Sequence, residues 1–155
     1  LASSPSRGRI WAAVEGGYPR LYYSHDGARR WFPWPGEHLC PTLRALAALP
    51  VADRPDRLFA ACGTGGLMVS DDLGVTFRRV PGIRVALDVA TSISDRRTVA
   101  VVTPLVRMSD DGGATWRDTT LTAAHVAIDT RNPKLIFAIA QNGRLFTSID
   151  GGRRF

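Results

Sequence analysis

The chain has 155 residues and a mass of 16.8 kDa, with 20 basic and 14 acidic side chains and a formal net charge of +6. An apolar content of 45% is that of a folded domain and excludes a disordered one, and no run comes near the ~20 apolar residues of a membrane-spanning helix. Fifteen Gly and ten Pro interrupt the chain too often for long helices or a coiled coil, so the composition points to short strands joined by turns, an all-β chain.

In chain order the pattern falls into four similar units, at about residues 8–41, 42–81, 82–121 and 122–155. The first has apolar segments at 10–14 and 21–23, then Ser24-His25-Asp26-Gly27-Ala28-Arg29-Arg30-Trp31; a Pro-rich stretch at 33–41 reads as an enlarged loop. The second has segments at 43–49, 58–62 and 66–69, then Ser70-Asp71-Asp72-Leu73-Gly74-Val75-Thr76-Phe77. Ala and Leu favour helix at 43–49, but the place of this segment in the repeat predicts a strand. The third has segments at 85–90, 98–102 and 105–108, then Ser109-Asp110-Asp111-Gly112-Gly113-Ala114-Thr115-Trp116. The fourth has segments at 125–129, 135–140 and 144–147, then Ser148-Ile149-Asp150-Gly151-Gly152-Arg153-Arg154-Phe155. Each unit predicts strands A, B and C, a hairpin, and a short strand D beginning at the aromatic residue. The first unit starts at strand B and the last stops where strand D begins, so fourteen strands are expected.

The repeated motif is Ser-x-Asp-x-Gly-x-x-aromatic. Three copies start 39 residues apart, at Ser70, Ser109 and Ser148; the copy at Ser24 has its Gly one place early and Ala28 in the glycine position. A hydroxyl and a carboxylate two residues apart can accept hydrogen bonds from nearby backbone N–H groups and hold a turn closed. The glycine permits a positive φ, and the aromatic side chain can bury a large area between neighbouring sheets. A hairpin needs these residue types for its own sake. Ser24, Asp26 and Trp31, Ser70, Asp72, Gly74 and Phe77, Ser109, Asp111, Gly113 and Trp116, and Ser148, Asp150, Gly152 and Phe155 are therefore read as structural.

These motifs resemble the Asp-box, or BNR repeat, of β-propeller proteins. The copy at 109–116 matches most closely; those at 70 and 148 carry Phe for Trp. Residues 127–138 and 49–59 also resemble the strand A, turn and strand B that precede such boxes in bacterial proteins. The resemblance runs over about residues 8–155 and implies four-stranded antiparallel blades around an axis. Propellers of this kind have six or more blades, so these four are expected to be part of a larger one. The family includes sialidases and xyloglucan-cleaving glycoside hydrolases, and also non-enzymatic sorting receptors and a photosystem II assembly factor. In the enzymes the boxes lie at the blade periphery, away from the catalytic residues.

A sialidase-like site needs an arginine cluster, a tyrosine nucleophile with a nearby glutamate, and an acid. The chain has two glutamates, Glu15 and Glu37, and three tyrosines, Tyr18, Tyr22 and Tyr23; Glu15 and Tyr18 share one loop, with no Arg-Ile-Pro-like segment ahead of them. Paired-carboxylate hydrolysis needs two carboxylates on one face. Asp53, Asp56 and Asp95 read as turn residues, and Asp88 and Asp129 as equivalent strand A positions. His25, His38 and His125 stand alone, so neither a metal nor a cofactor is expected. Gly63-Thr64-Gly65-Gly66 lacks the Lys-Ser/Thr of a phosphate loop and reads as a B–C hairpin. The expectation is a non-catalytic scaffold binding protein or glycan, as an accessory or assembly subunit of a larger extracytoplasmic or membrane-associated complex; the alternative is a glycoside hydrolase fragment with its catalytic residues elsewhere.

Two features are candidates for binding. Trp34 and Tyr18 could stack on a sugar or a protein; the competing reading has Trp31 filling an inter-unit slot and Trp34 covering the enlarged loop. The pairs Arg29-Arg30, Arg78-Arg79 and Arg153-Arg154 would place positive charge around one rim, suited to an acidic protein surface or anionic head groups, the latter implying peripheral membrane association. The other cations read as dispersed charge, with no nucleic-acid partner expected. Partners are expected to be other protein subunits or the rest of a longer chain. Cys40 and Cys62 leave a single disulfide open.

Overall fold

The computed structural model describes residues 2–4, 9–14, 20–34, 39–52 and 55–155. Tyr18, Glu15, Glu37, His38 and Asp53 lie outside the described residues. The first sheet contains β1 (Ala2–Ser4), β2 (Arg9–Val14), β3 (Arg20–Ser24) and β4 (Phe32–Pro33); the second contains β5 (Ala45–Leu49), β6 (Arg57–Ala61), β7 (Leu67–Ser70) and β8 (Arg78–Arg79). The third contains β9 (Asp88–Thr91), β10 (Val99–Val102), β11 (Val106–Ser109) and β12 (Arg117–Asp118), and the fourth β13 (His125–Ile128), β14 (Ile136–Ile139) and β15 (Leu145–Ser148). Every pairing is antiparallel between strands consecutive in sequence. The chain is all-β, and among the described residues no helix is long and apolar enough to cross a membrane.

Two details differ from the sequence reading. The first sheet has its own strand A, β1, so the described residues form fifteen strands rather than fourteen. The polar segment Ala2-Ser3-Ser4 is held by its pairing with Trp11, Ile10 and Arg9, not by an apolar pattern. Each short outer strand begins one residue after the motif aromatic, which stays in the hairpin.

The innermost strands lie side by side in the order β1, β5, β9, β13, and three cores fill the spaces between consecutive sheets. Trp11, Leu21, Leu46, Leu58 and Ala60 pack between the first and second. Leu49, Phe59, Leu67, Val69, Val99 and Val101 pack between the second and third, and Ala100, Val102, Met108, Val126 and Ile136 between the third and fourth. Alternate residues of one strand thus serve different cores, and a sheet covered on both faces needs nearly unbroken apolar strands. That requirement overrides the helix propensity of β5, whose Leu46 and Ala48 face backward while Ala47 and Leu49 face forward. Each fully buried Leu or Phe contributes about 1.5–3 kcal/mol. Polar links tie the inner strands: the Thr91 hydroxyl donates to the Ala48 carbonyl at 2.7 Å, and Asp88 Oδ2 accepts from the Val126 amide at 3.1 Å.

Residues 63–66 form the B–C hairpin of the second sheet, packed so tightly that a Cβ on Gly66 would lie 2.3 Å from the Ile83 carbonyl oxygen. Beside it Cys40 and Cys62 form a buried disulfide, joining the connection after the first sheet to the end of β6. Closing a loop with a sequence separation of 22 restricts the unfolded chain, an effect of about 3 kcal/mol. Thermal melting with and without reductant is expected to show that loss, and a Cys40→Ser/Cys62→Ser variant should melt like the reduced protein.

Candidate functional site

The four hairpins after β3, β7, β11 and β15 share one hydrogen-bond scheme. The serine hydroxyl donates to the aspartate at 2.7–2.9 Å, and its oxygen accepts from the amide four residues on at 2.6–2.9 Å. The aspartate then accepts from amides of the next turn: Arg29 and Arg30 on Asp26, Thr76 on Asp72, Ala114 and Thr115 on Asp111, Arg153 and Arg154 on Asp150. All four serines are buried. Two consecutive residues take positive φ in each hairpin; Ala28, at φ 69, adopts the conformation that glycine adopts elsewhere.

The same corners lock consecutive sheets together. A Cβ on Gly113 would meet the ring of Phe59 in the preceding sheet at 2.8 Å, and one on Gly152 would meet Met108 of the preceding sheet at 2.9 Å. The corner carbonyls accept hydrogen bonds from the sheet before: Trp34 Nε1 donates to Gly74 at 2.8 Å, and Arg57 to Gly112 at 2.7 Å. Arg117 donates to Gly152 at 3.0 Å and also to Gly151. Trp34 therefore seals the first interface, packed on its core, while Trp31 stands 39% exposed. Trp34 thus packs on a core where the sequence reading had it covering the enlarged loop; Phe77, Trp116 and Phe155 fill the space before their own sheets, and no described sheet precedes that of Trp31.

In an A-B-C-D meander the A–B turns and C–D hairpins lie at one end, so they form a common rim. A cleft of about 590 Å³ between the third and fourth corners is lined by Arg97, Arg117, Lys134 and Arg153 with Asp95, Asp110 and Asp150. A second cleft, about 490 Å³, lies between the second and third corners and brings Arg57, Arg96 and Arg97 to Asp71 and Asp111. Arg97 borders both, its Nε donating to the Asp110 carbonyl at 3.1 Å. The carboxylates are already engaged. Asp95 accepts from the Arg97 and Thr98 amides and the Thr98 hydroxyl; Asp71 binds Arg57 at 2.5 Å and Arg78 at 3.1 Å. Burial opposes ionisation of Asp111, but hydrogen bonds from Thr115, Ser109 and Ala114 outweigh it and hold the carboxyl at about 2. The Arg30 amide, foremost, draws Asp26 below the ordinary value, and the Arg154 amide does the same for Asp150.

Of the arginine pairs, Arg153 enters a cleft and Arg78 pairs with Asp71, whereas Arg29, Arg30, Arg79 and Arg154 are exposed and make no ion pair among the described residues. The sequence reading missed Arg57, Arg96, Arg97, Arg117 and Lys134. A signal existed for one: Arg117 and Arg78 each follow the motif aromatic and pair with the aspartate seven residues earlier, Asp110 and Asp71. His25 stacks on Phe32 at 5.1 Å, beside Tyr23 and Trp34. Asp129 belongs with Asp95 and not, as expected, with Asp88: it accepts from the Arg131 and Asn132 amides in an A–B turn. Asp88 instead starts β9, at the opposite rim, 3.3 Å from His125. Asp118 at that rim pairs with Arg107.

No protein-family model and no curated protein matches the sequence. Solved structures do. The GH74 enzyme of Niastella koreensis matches with 14% identity and a TM-score of 0.57, over 96% of this chain and 30% of that one. YCF48 from Cyanidioschyzon merolae matches with 18% identity and 0.55, over 72% and 35%, and YCF48 bound to D1 peptide with 17% and 0.58, over 73% and 39%. The chain spans about a third of the length of these structures, and at such identities the likeness is one of fold.

Two measurements test the corners. Gly113→Ala adds a methyl against Phe59 at φ +89 and is expected to cost about 2–4 kcal/mol. Gly151→Ala, at φ +76 with open space around it, should cost only the backbone share, about 1–2 kcal/mol, in the same denaturation assay. A carboxyl lowered on folding stabilises fully above its unfolded value, 3.8, and loses that contribution as pH falls through its folded value, about 2 for Asp111. Melting temperature should therefore drop across that window, and less so in Asp111→Asn, which starts lower.

Proposed function

The chain is a run of β-propeller blades, and we propose that it is a non-catalytic binding scaffold whose hairpin rim holds an acidic segment of a protein partner. One observation carries this reading: two rim clefts gather Arg57, Arg96, Arg97, Arg117, Lys134 and Arg153, while Asp95, Asp111 and Asp150 are occupied by the chain's own amides and hydroxyls and only Asp71 and Asp110 pair with cleft arginines, Arg57 and Arg117. Guanidinium groups with N–H donors to spare suit carboxylates, which they bind with two parallel hydrogen bonds. The D1 peptide bound to YCF48 supports peptide binding as a use of this fold. The serine–aspartate–glycine scheme supports reading the corners as Asp-boxes, and the four blades as one domain. The buried Cys40–Cys62 bridge supports a disulfide-permissive, extracytoplasmic setting, secreted or periplasmic.

The likeness to a GH74 enzyme favours a second reading, a segment of a glycoside hydrolase. Its chemistry would draw on carboxylates, and at the opposite rim Asp88 is engaged by the Val126 amide and Asp118 by Arg107.

Fluorescence anisotropy with a labelled Glu-rich peptide separates the two. Binding should weaken at least about tenfold between roughly 0.05 and 0.5 M salt, and Lys134→Ala/Arg153→Ala should weaken it severalfold without lowering the melting temperature. Absence of binding at low salt, or release of reducing sugar from a β-glucan by the chain, overturns the scaffold reading.

A further inference from the structure

The cations of the two rim clefts are of two kinds. Arg57 and Arg117 are committed, each donating to a corner carbonyl and facing an aspartate, Asp71 and Asp110. Arg96, Lys134 and Arg153 make no side-chain hydrogen bond or ion pair among the described residues, and Arg97 engages only its Nε. Of these four, Arg96 lines the cleft between the second and third corners, Lys134 and Arg153 line the cleft between the third and fourth, and Arg97 lines both. Arg97 also borders a smaller cavity of about 280 Å³ at the third corner, with Asp110, Asp111, Trp116 and Arg117. The three spaces meet at one side chain.

The fold sets these cations in a row. Arg97 stands two residues before Val99, the partner of Ser109, and Lys134 two residues before Ile136, the partner of Ser148. The carbonyl of each accepts from a corner glycine amide, Gly112 at 2.7 Å and Gly151 at 2.9 Å. Consecutive sheets therefore present a cation from the same place beside the corner, a place that in the second sheet holds the buried Asp56. Arg96 adopts φ 57, a conformation uncommon outside glycine. Asp95 holds the turn in that form by accepting from the Arg97 and Thr98 amides, and the adjacent residues Arg96 and Arg97 thereby serve the clefts on both sides of the third corner.

We propose that the two clefts are halves of one site: a single extended segment of the acidic partner crosses the third corner, with carboxylates in both clefts and Arg97 as the anchor they share. This rests on the reading of the rim as a site for an acidic segment, and adds the arrangement of charge that the segment carries. Uncommitted cations lie on both sides of the corner, while Asp95, Asp110 and Asp111 stand among them. An unbroken acidic run would set part of its charge against the chain's own carboxylates; two acidic groups separated by neutral residues reach the cations without that repulsion. Once one group is bound, the other is held near its cleft at a high effective concentration, so two weak contacts act as one stronger contact.

Calorimetric titration at low salt provides the test, with peptides carrying one Glu pair, two Glu pairs joined by a Gly-Ser spacer, or an unbroken Glu run. The two-pair peptide should bind as one peptide per chain. Its affinity should pass through a maximum as the spacer grows from roughly 2 to 12 residues, and there exceed that of the single pair at least about tenfold. Arg96→Asn, which suits a positive φ, and Lys134→Ala should each bring the two-pair peptide down to the affinity of the single pair without lowering the melting temperature. Equal affinity for both peptides at every spacer length overturns the single site and leaves the rim a site for acidic segments. Loss of affinity with Lys134→Ala but not with Arg96→Asn does the same, as does tightest binding of the unbroken run. Failure of every acidic peptide to bind overturns the reading of the rim and this proposal with it.

Discussion

The structure depends on a corner without a side chain. At Gly113 the hairpin backbone lies so close to the preceding sheet that the Phe59 ring fills the place of a Cβ, and Met108 does the same at Gly152. Close approach is useful only if the corner is rigid, and the serine–aspartate clamp supplies rigidity by satisfying amides that the tight turn would leave without partners. The clamp and the gap therefore belong to one device. The corner carbonyls complete it by accepting from Trp34, Arg57 and Arg117 across each junction, so the element that closes a hairpin also joins it to the sheet before.

This division explains what could be read from the sequence. The clamp is local: its donors and acceptors lie within eight residues, so the same types recur at the same spacing and the blade pattern shows through. The junction is not local. Arg57 and Gly112 are 55 residues apart, and nothing near Arg57 marks it as a cross-sheet donor. Cys40 and Cys62 likewise come together only because the connection after the first sheet folds back beside β6. Trp31 and Trp34 were ambiguous for a related reason. Both are large aromatics beside a corner, and which one is enclosed depends on the side where a neighbouring sheet stands. β1 carries no apolar alternation, so its strand was invisible without its partner β2.

The charge of the rim follows from the same architecture. Each corner requires an aspartate, and the A–B turns add Asp95 and Asp129 for a similar purpose. Left alone these carboxylates would make the rim acidic. The arginines reverse that: Arg57 and Arg117 are fixed by corner carbonyls, Arg97 by the Asp110 carbonyl, and Arg153 comes from the corner itself. Arginines needed for holding sheets together thus converge between corners, and their remaining N–H donors face the clefts. Pairs such as Arg29-Arg30 are adjacent in sequence, yet convergence in space falls to residues scattered along the chain.

The burial pattern of the fourth sheet separates what a blade contributes from what its neighbours contribute. β10 is buried at all four positions, whereas β14, in the same place of the fourth sheet, alternates buried residues with half-buried and exposed ones. On β14 the alternation does not come from polar substitution, since Phe137 and Ile139 are apolar on the uncovered side, beside Ala127 and Leu145 and the polar His125 and Thr147. In an array where each sheet contacts only its neighbours, stability is a sum of sheets and junctions, and an apolar face without a junction leaves its hydrophobic contribution unrealised. The chemistry of that face is already that of a junction. What it lacks is a neighbouring sheet of the kind that covers the other faces at the three junctions among the described residues.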